Sequence, residues 1–108
     1  MKVTGIETLH CDAGWRNFSF AKITTDTGPI GYSEYQEGFG SPGVSAVIES
    51  LAERVVGQDP RANERIYWDL YAATRPAAGG VAAQGIAAIE NALLDVKAKD
   101  LGIPVHEL

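Results

Sequence analysis

A single cysteine among 108 residues, Cys11, has no partner within the chain, so no internal disulfide can hold the fold. Such sparing use of cysteine fits a reducing compartment, and a cytoplasmic location is expected. Basic residues are also few: nine Lys and Arg stand against fourteen Asp and Glu, for a net charge of −5. The nine are scattered, whereas phosphate binding needs a concentrated basic face, so no nucleic-acid partner is expected. No apolar run is long enough to cross a bilayer, and Met1-Lys2-Val3-Thr4-Gly5 does not open an apolar signal segment; no membrane partner is expected. The two histidines, His10 and His106, are far apart and lack acidic or cysteine neighbours at ligand spacing. No Ser/His/Asp arrangement, zinc spacing or phosphate loop with a lysine occurs. Cys11 lacks a basic cluster that would make it a nucleophile. No catalytic and no metal-binding residue is therefore named in this chain.

What remains is ordinary for one folded domain: 45% hydrophobic and 21% charged residues. Residues 2–11, 18–25 and 29–35 read as strands. Asp12-Ala13-Gly14-Trp15-Arg16-Asn17 breaks the first from the second, and Asp26-Thr27-Gly28 is a tight turn before the third. Ser41 and Pro42 offer a cap and a first helical position ahead of the stripe Val44, Val47, Ile48, Leu51 and Val55, which Gly57 stops. Asp59-Pro60 repeats that device before Ile66, Tyr67, Leu70 and Tyr71. A third helix is read over Gly85 to Leu101. Ile86, Ile89, Leu93 and Val96 make one face of it, and Leu94, Ala98 and Leu101 a second strip. Glu90 and Asp95 are placed towards its start and Lys97 and Lys99 in its last turns, as suits the helix dipole; Gly102 and Pro104 end it. Strands first and helices second predict an α+β fold: a three-stranded antiparallel meander followed by three helices.

The run Ala88 to Lys99, followed by Leu101-Gly102-Ile103-Pro104-Val105-His106-Glu107-Leu108, resembles the signature leading into the barrel of the mandelate racemase/muconate lactonizing enzyme subgroup of the enolase superfamily. Leu94 stands where that family usually has Trp, and Ala98 where it usually has Gly; both positions concern packing. Val3 to Leu9, Ile23 to Glu34 and Val56 to Pro60 resemble the N-terminal capping domain of the same family, so the likeness spans essentially the whole chain. It implies an enolase N-terminal domain-like fold. Residues 1–108 would be the capping domain of a larger enzyme whose catalytic TIM-like barrel is absent from this chain. The isolated chain would be inactive and hold no cofactor. The parent would abstract a proton α to a carboxylate, with Mg²⁺ stabilising the enediolate. Dehydration of an acid sugar is the preferred reaction, with racemisation or cycloisomerisation as alternatives. The implied partners are the barrel domain, a small carboxylate substrate and further copies in a homo-oligomer.

In the resembled family two capping-domain loops close over the barrel mouth. That implies Trp15 as an apolar wall, Arg16 as a clamp on a carboxylate and Phe39 as a similar wall from the second loop. The residues alone favour Trp15 packed on the sheet and Arg16 solvated. Gly38-Phe39-Gly40-Ser41-Pro42-Gly43 satisfies G-x-G-x-x-G, a dinucleotide-binding pattern, yet the helix after it leads to another helix rather than a parallel strand. Glu34 and Glu37 are read as solvated, and Tyr67, Trp68 and Tyr71 as helix packing. The competing expectation for the whole chain is a stand-alone interaction module that binds through its third helix.

Overall fold

The computed structural model describes residues 1–108 throughout. Strand β1 (Val3–Asp12) pairs antiparallel with β2 (Asn17–Thr25), and β2 with β3 (Ile30–Tyr35), in the spatial order β1-β2-β3. Helices α1 (Val44–Val55), α2 (Asn63–Ala73) and α3 (Gly80–Leu101) follow, with single 3₁₀ turns at Arg75–Ala77 and Val105–Glu107. The α+β meander read from the sequence is the observed fold. No helix is long and apolar enough to cross a membrane.

One face of the sheet is built to receive helices. Ser19, Ala21, Ile23 and Thr25 of β2 alternate inward, as do Gly31, Ser33 and Tyr35 of β3. Ile23 faces Gly31 and Ala21 faces Ser33 across the ladder, so this surface is low and α3 can lie close to it. A Cβ on Gly31 would run into the Ala92 carbonyl oxygen and come within 2.6 Å of Val96 Cγ2. Ile86, Ile89, Leu93 and Val96, the face expected from the three-and-four spacing, are all buried. With Val44, Ile48, Leu51 and Val55 of α1 and Ile66 and Leu70 of α2 they form one core.

Polar groups on α3 also close the outer edge of β3. Asp95 Oδ2 accepts the Tyr32 backbone N–H at 2.9 Å and Lys99 Nζ donates to the Ile30 carbonyl at 2.7 Å, while on the inner face Ser33 Oγ donates to the Ala88 carbonyl at 2.5 Å. An edge strand would otherwise present a row of unpaired donors and acceptors.

Several local expectations need correcting. Helix α3 begins at Gly80, so Glu90 and Asp95 lie in its middle, away from the dipole's positive end; Lys99 does fall in the last turn. The strip Leu94, Ala98 and Leu101 is not continuous: Ala98 is buried, Leu94 half-buried and Leu101 exposed. The cap of α1 is Gly43 rather than Ser41, and α2 begins at Asn63 because Asp59 spends its carboxylate on Arg61 instead. Trp68 and Tyr71 do not pack into the core. They form an exposed cluster with Tyr67, rings 5.1 to 6.5 Å apart.

The meander fixes where the loops go. The chain runs up β1, down β2 and up β3. Residues 13–16 and residues 36–43 therefore emerge at the same end of the sheet.

Candidate functional site

The first of these loops is a turn closed by its own backbone. Asp12 pairs with Asn17, the Ala13 N–H donates to the Arg16 carbonyl at 2.9 Å, and the Gly14 N–H donates to Asp12 Oδ1 at 2.8 Å. An aspartate bonded to the backbone two residues on is a common turn lock. The turn throws Trp15 outward, 77% exposed. Arg16 lies back over the outer face of the sheet, with Cζ 4.3 Å from the Phe18 ring centroid and 5.4 Å from that of Trp15. The Trp15 and Phe18 rings meet edge to face at 5.9 Å. Stacking of this kind at an exposed site is worth about 0.5–1 kcal/mol. Arg16 is thus held against the rings while its side chain stays partly exposed. Its one ion-pair contact is long, 3.9 Å to Glu34, so its guanidinium keeps donors free for another anion.

The second loop is a miniature hairpin. Gly38 and Ser41 exchange backbone bonds of 3.4 and 2.8 Å, and Phe39 stands at the tip, 90% exposed. Gly38, Gly40 and Gly43 all have positive φ, 95°, 79° and 102°, which side chains resist. The glycine pattern therefore answers to a tight loop. The dinucleotide reading fails outright, since the sheet is antiparallel and α1 leads to α2.

Trp15, Arg16 and Phe39 are brought together. With Asn17, Gln36 and Glu37 they line one cleft of about 390 Å³. Gln36 and Glu37 are members that the sequence did not assign to a site, and Glu37 is the charged one. It is half-buried and bonded rather than free: Oε2 accepts the Gly43 N–H at 2.8 Å and Oε1 the Ser45 N–H at 2.6 Å. The Ser45 and Gly43 amides hold its carboxyl below the usual carboxylate range, with smaller help from the Ser45 hydroxyl and His10. The positive end of α1 absorbs this charge. Arg16 is left as the cleft's available ionic group, and the arrangement suits a ligand with an apolar part and an anionic end. A capping-box search would miss Glu37, because its carboxylate precedes the helix instead of lying in its first turn.

The remaining candidates do not assemble a site. No group of three or more His, Cys, Asp and Glu side chains is placed to hold a metal ion, so the residues present do not fit a magnesium centre. His10 Nδ1 lies 2.9 Å from Ser19 Oγ on the helix-facing side of the sheet, while His106 is 3.9 Å from Glu107 near the other terminus. Cys11 is exposed and unpaired.

Comparison with known proteins places this geometry in context. The family described as mandelate racemase / muconate lactonizing enzyme, N-terminal domain, matches residues 7–108. D-galactonate dehydratase of Xanthomonas euvesicatoria is 37% identical over 108 residues, which are 100% of this chain and 28% of that protein. A Burkholderia xenovorans protein provisionally assigned as an L-alanine-DL-glutamate epimerase superposes with a TM-score of 0.96 at 58% identity, covering 99% of this chain and 27% of its own. A second structure of a protein so assigned from that strain, at 58% identity and a TM-score of 0.95 over 98% of this chain and 26% of its own, holds magnesium and fumarate. The 3,6-anhydro-D-galactonate cycloisomerase of Zobellia galactanivorans superposes at 0.84 with 26% identity, over 94% of this chain and 29% of its own. The chain therefore spans little more than a quarter of the length of the relatives it matches.

Proposed function

Because the chain belongs to the mandelate racemase / muconate lactonizing enzyme N-terminal domain family, we propose that it is the substrate-capping domain of a larger enzyme of the enolase superfamily. The observation that carries this is the convergence of Trp15, Arg16 and Phe39, from two separate loops, on one cleft at one end of the sheet. Chemistry would reside in a barrel domain, whose active face lies where its strands end. The cleft would close over that face, exclude water and select the substrate. Trp15 and Phe39 supply apolar walls. Arg16, already oriented by the Phe18 ring, pairs with a carboxylate.

For the parent the proposed step is abstraction of a proton α to a carboxylate. D-galactonate, the alanyl-glutamate dipeptide and 3,6-anhydro-D-galactonate all carry a carboxylate beside a C–H bond, which supports that shared step. Magnesium would supply stabilisation of the resulting enediolate, held by residues outside this chain, as no set here fits it. We favour dehydration of an acid sugar: the α proton leaves to a base, the β hydroxyl leaves as water, and the enol becomes a 2-keto-3-deoxy acid. The structures assigned as an epimerase, at 58% identity, favour a second reading in which the proton returns on either face. Incubating the full-length enzyme in D₂O with D-galactonate and with alanyl-glutamate separates them. A 2-keto acid marks dehydration; solvent deuterium at the α carbon with no loss of water marks epimerisation. The lone, exposed Cys11 fits a cytoplasmic setting, and a homo-oligomeric parent is part of the proposal.

The capping role is tested by replacing Trp15 and Arg16 with Ala in that enzyme. Substrate preference or KM should change, while magnesium affinity stays the same. Unaltered kinetics on every substrate would remove both residues from the lid.

A further inference from the structure

The Glu37 carboxylate has a place in the cleft but no obvious business with an anionic substrate, and its geometry suggests other work. It sits at the end of β3, and both of its oxygens are taken by amides on the far side of the Phe39 loop, Gly43 N–H at 2.8 Å and Ser45 N–H at 2.6 Å. The chain between, Gly38 to Pro42, carries only its own Gly38–Ser41 bridge. No side-chain hydrogen bond ties Phe39, and its ring is 90% exposed. Beyond the loop's own bridge, hydrogen bonds therefore hold the Phe39 segment only through this clasp and the backbone on either side.

The clasp is tied in turn to the base of the other loop. Ser45 Oγ lies 2.6 Å from the Tyr35 hydroxyl, Tyr35 is paired with Ser19 across the ladder, and Ser19 Oγ lies 2.9 Å from His10 Nδ1. The His10 and Tyr35 rings meet edge to face at 6.5 Å. A polar row thus crosses the helix-facing side of the sheet from β1 to the first turn of α1, beneath both walls of the cleft.

We infer that Glu37 is a positioning residue, a clasp that joins β3 to the start of α1 and so sets the place of Phe39 in the cleft. The consequence for substrate choice rests on the capping proposal; the clasp itself does not. A carboxylate is required because two backbone donors must be accepted at once. Glutamine offers one acceptor oxygen, and its amide nitrogen would meet the second donor with donors of its own. The titratable and charged groups around Glu37 are His10 from β1 and Arg16 across the cleft, with the Tyr35 hydroxyl reached through Ser45.

The test uses Glu37→Gln, Glu37→Asp, Phe39→Ala and the Glu37→Gln/Phe39→Ala double variant. Amide exchange is read in this chain and steady-state kinetics in the full-length enzyme. Loss of a hydrogen bond to a charged group should speed exchange at Gly43 and Ser45 by at least about tenfold in Glu37→Gln, while amides of β2 and α3 keep their rates. Glu37→Asp keeps the charge one methylene short and should fall between. In the enzyme, Glu37→Gln should raise KM with little change in kcat. Its effect should not add to that of Phe39→Ala, since both act through the same ring. Unchanged exchange at Gly43 and Ser45 would overturn the inference, as would acceleration spread equally through the core or strictly additive kinetic effects. If Phe39→Ala leaves every kinetic constant untouched, the capping proposal fails for that loop and the exchange result alone decides the clasp.

Discussion

Replacing Gly31 with Ala adds one methyl group where α3 meets the sheet, and its cost can be worked from the contact. The new Cβ would collide with the Ala92 carbonyl oxygen and would stand 2.6 Å from Val96 Cγ2 and 3.0 Å from the Val96 backbone nitrogen. Two of these three atoms are backbone in the middle of a long helix, so no side-chain rotation relieves the clash. The helix has to lift, and Leu93 and Val96, both fully buried, lift with it. Over-packing costs typically about 1–3 kcal/mol, and with backbone as the obstacle we expect the upper end, about 3 kcal/mol. For a domain of this size that lowers Tm by roughly 10 °C or more. Gly5→Ala is the matched control: the same methyl on β1 meets nothing within 4 Å, and the conformation there is not left-handed. It should be neutral or stabilising by up to about 1 kcal/mol through the unfolded chain. Urea denaturation of both variants measures the difference. A Gly31→Ala protein within about 0.5 kcal/mol of the parent would refute the close seating of α3 on β3, since that is the range of changes away from such contacts.

Two further predictions concern pH. Hydrogen bonds from the Arg61 side chain and backbone pull the Asp59 carboxyl down to about 2. A depressed folded value means that its contribution is present above the unfolded carboxylate range and is lost as pH falls towards 2. Asp59→Asn should therefore flatten the acid limb of stability between about pH 4 and 2. The effect should be small, because the pair is exposed to solvent. Glu90 is shifted the other way, raised chiefly by burial against a lesser lowering by Asn63 and a further raising by Glu64. The cost of its charge builds as pH rises through the unfolded carboxylate range and is complete above the raised value, so Glu90→Gln should be the more stable protein at pH 7. The gap should close as pH falls through the carboxylate range; a gap that widens on acidification would reverse the assignment.

The sequence made the buried face of α3 legible because Ile86, Ile89, Leu93 and Val96 keep strict helical spacing and nothing competes with them. It also placed Trp15, Arg16 and Phe39 on loops, although only the meander's direction brings those loops to one end. Helix starts were harder. Gly79 stands at the cap of α3 and Gly80 opens it, with no capping side chain, so its first turn left no signal. Ser41-Pro42 and Asp59-Pro60 offered caps that the fold uses otherwise, since Gly43 takes the α1 position and Arg61 takes the Asp59 carboxylate. The service of Glu37 to α1 is tertiary in kind: it depends on a loop folding back on itself, and no spacing rule encodes that. The same holds for Asp95, which resembles an ordinary helix charge until β3 arrives beside it.

The placement of both loops at one end of an antiparallel ribbon has a consequence for how such a domain can diversify. Residues can be inserted at 13–16 or 36–43 without shifting a pair of the β1–β2 or β2–β3 ladders, because each insertion falls beyond the last rung of those ladders. The wall around a new guest can thus be redrawn by small changes in gene length at two spots, while the core under α3 goes on reading the same.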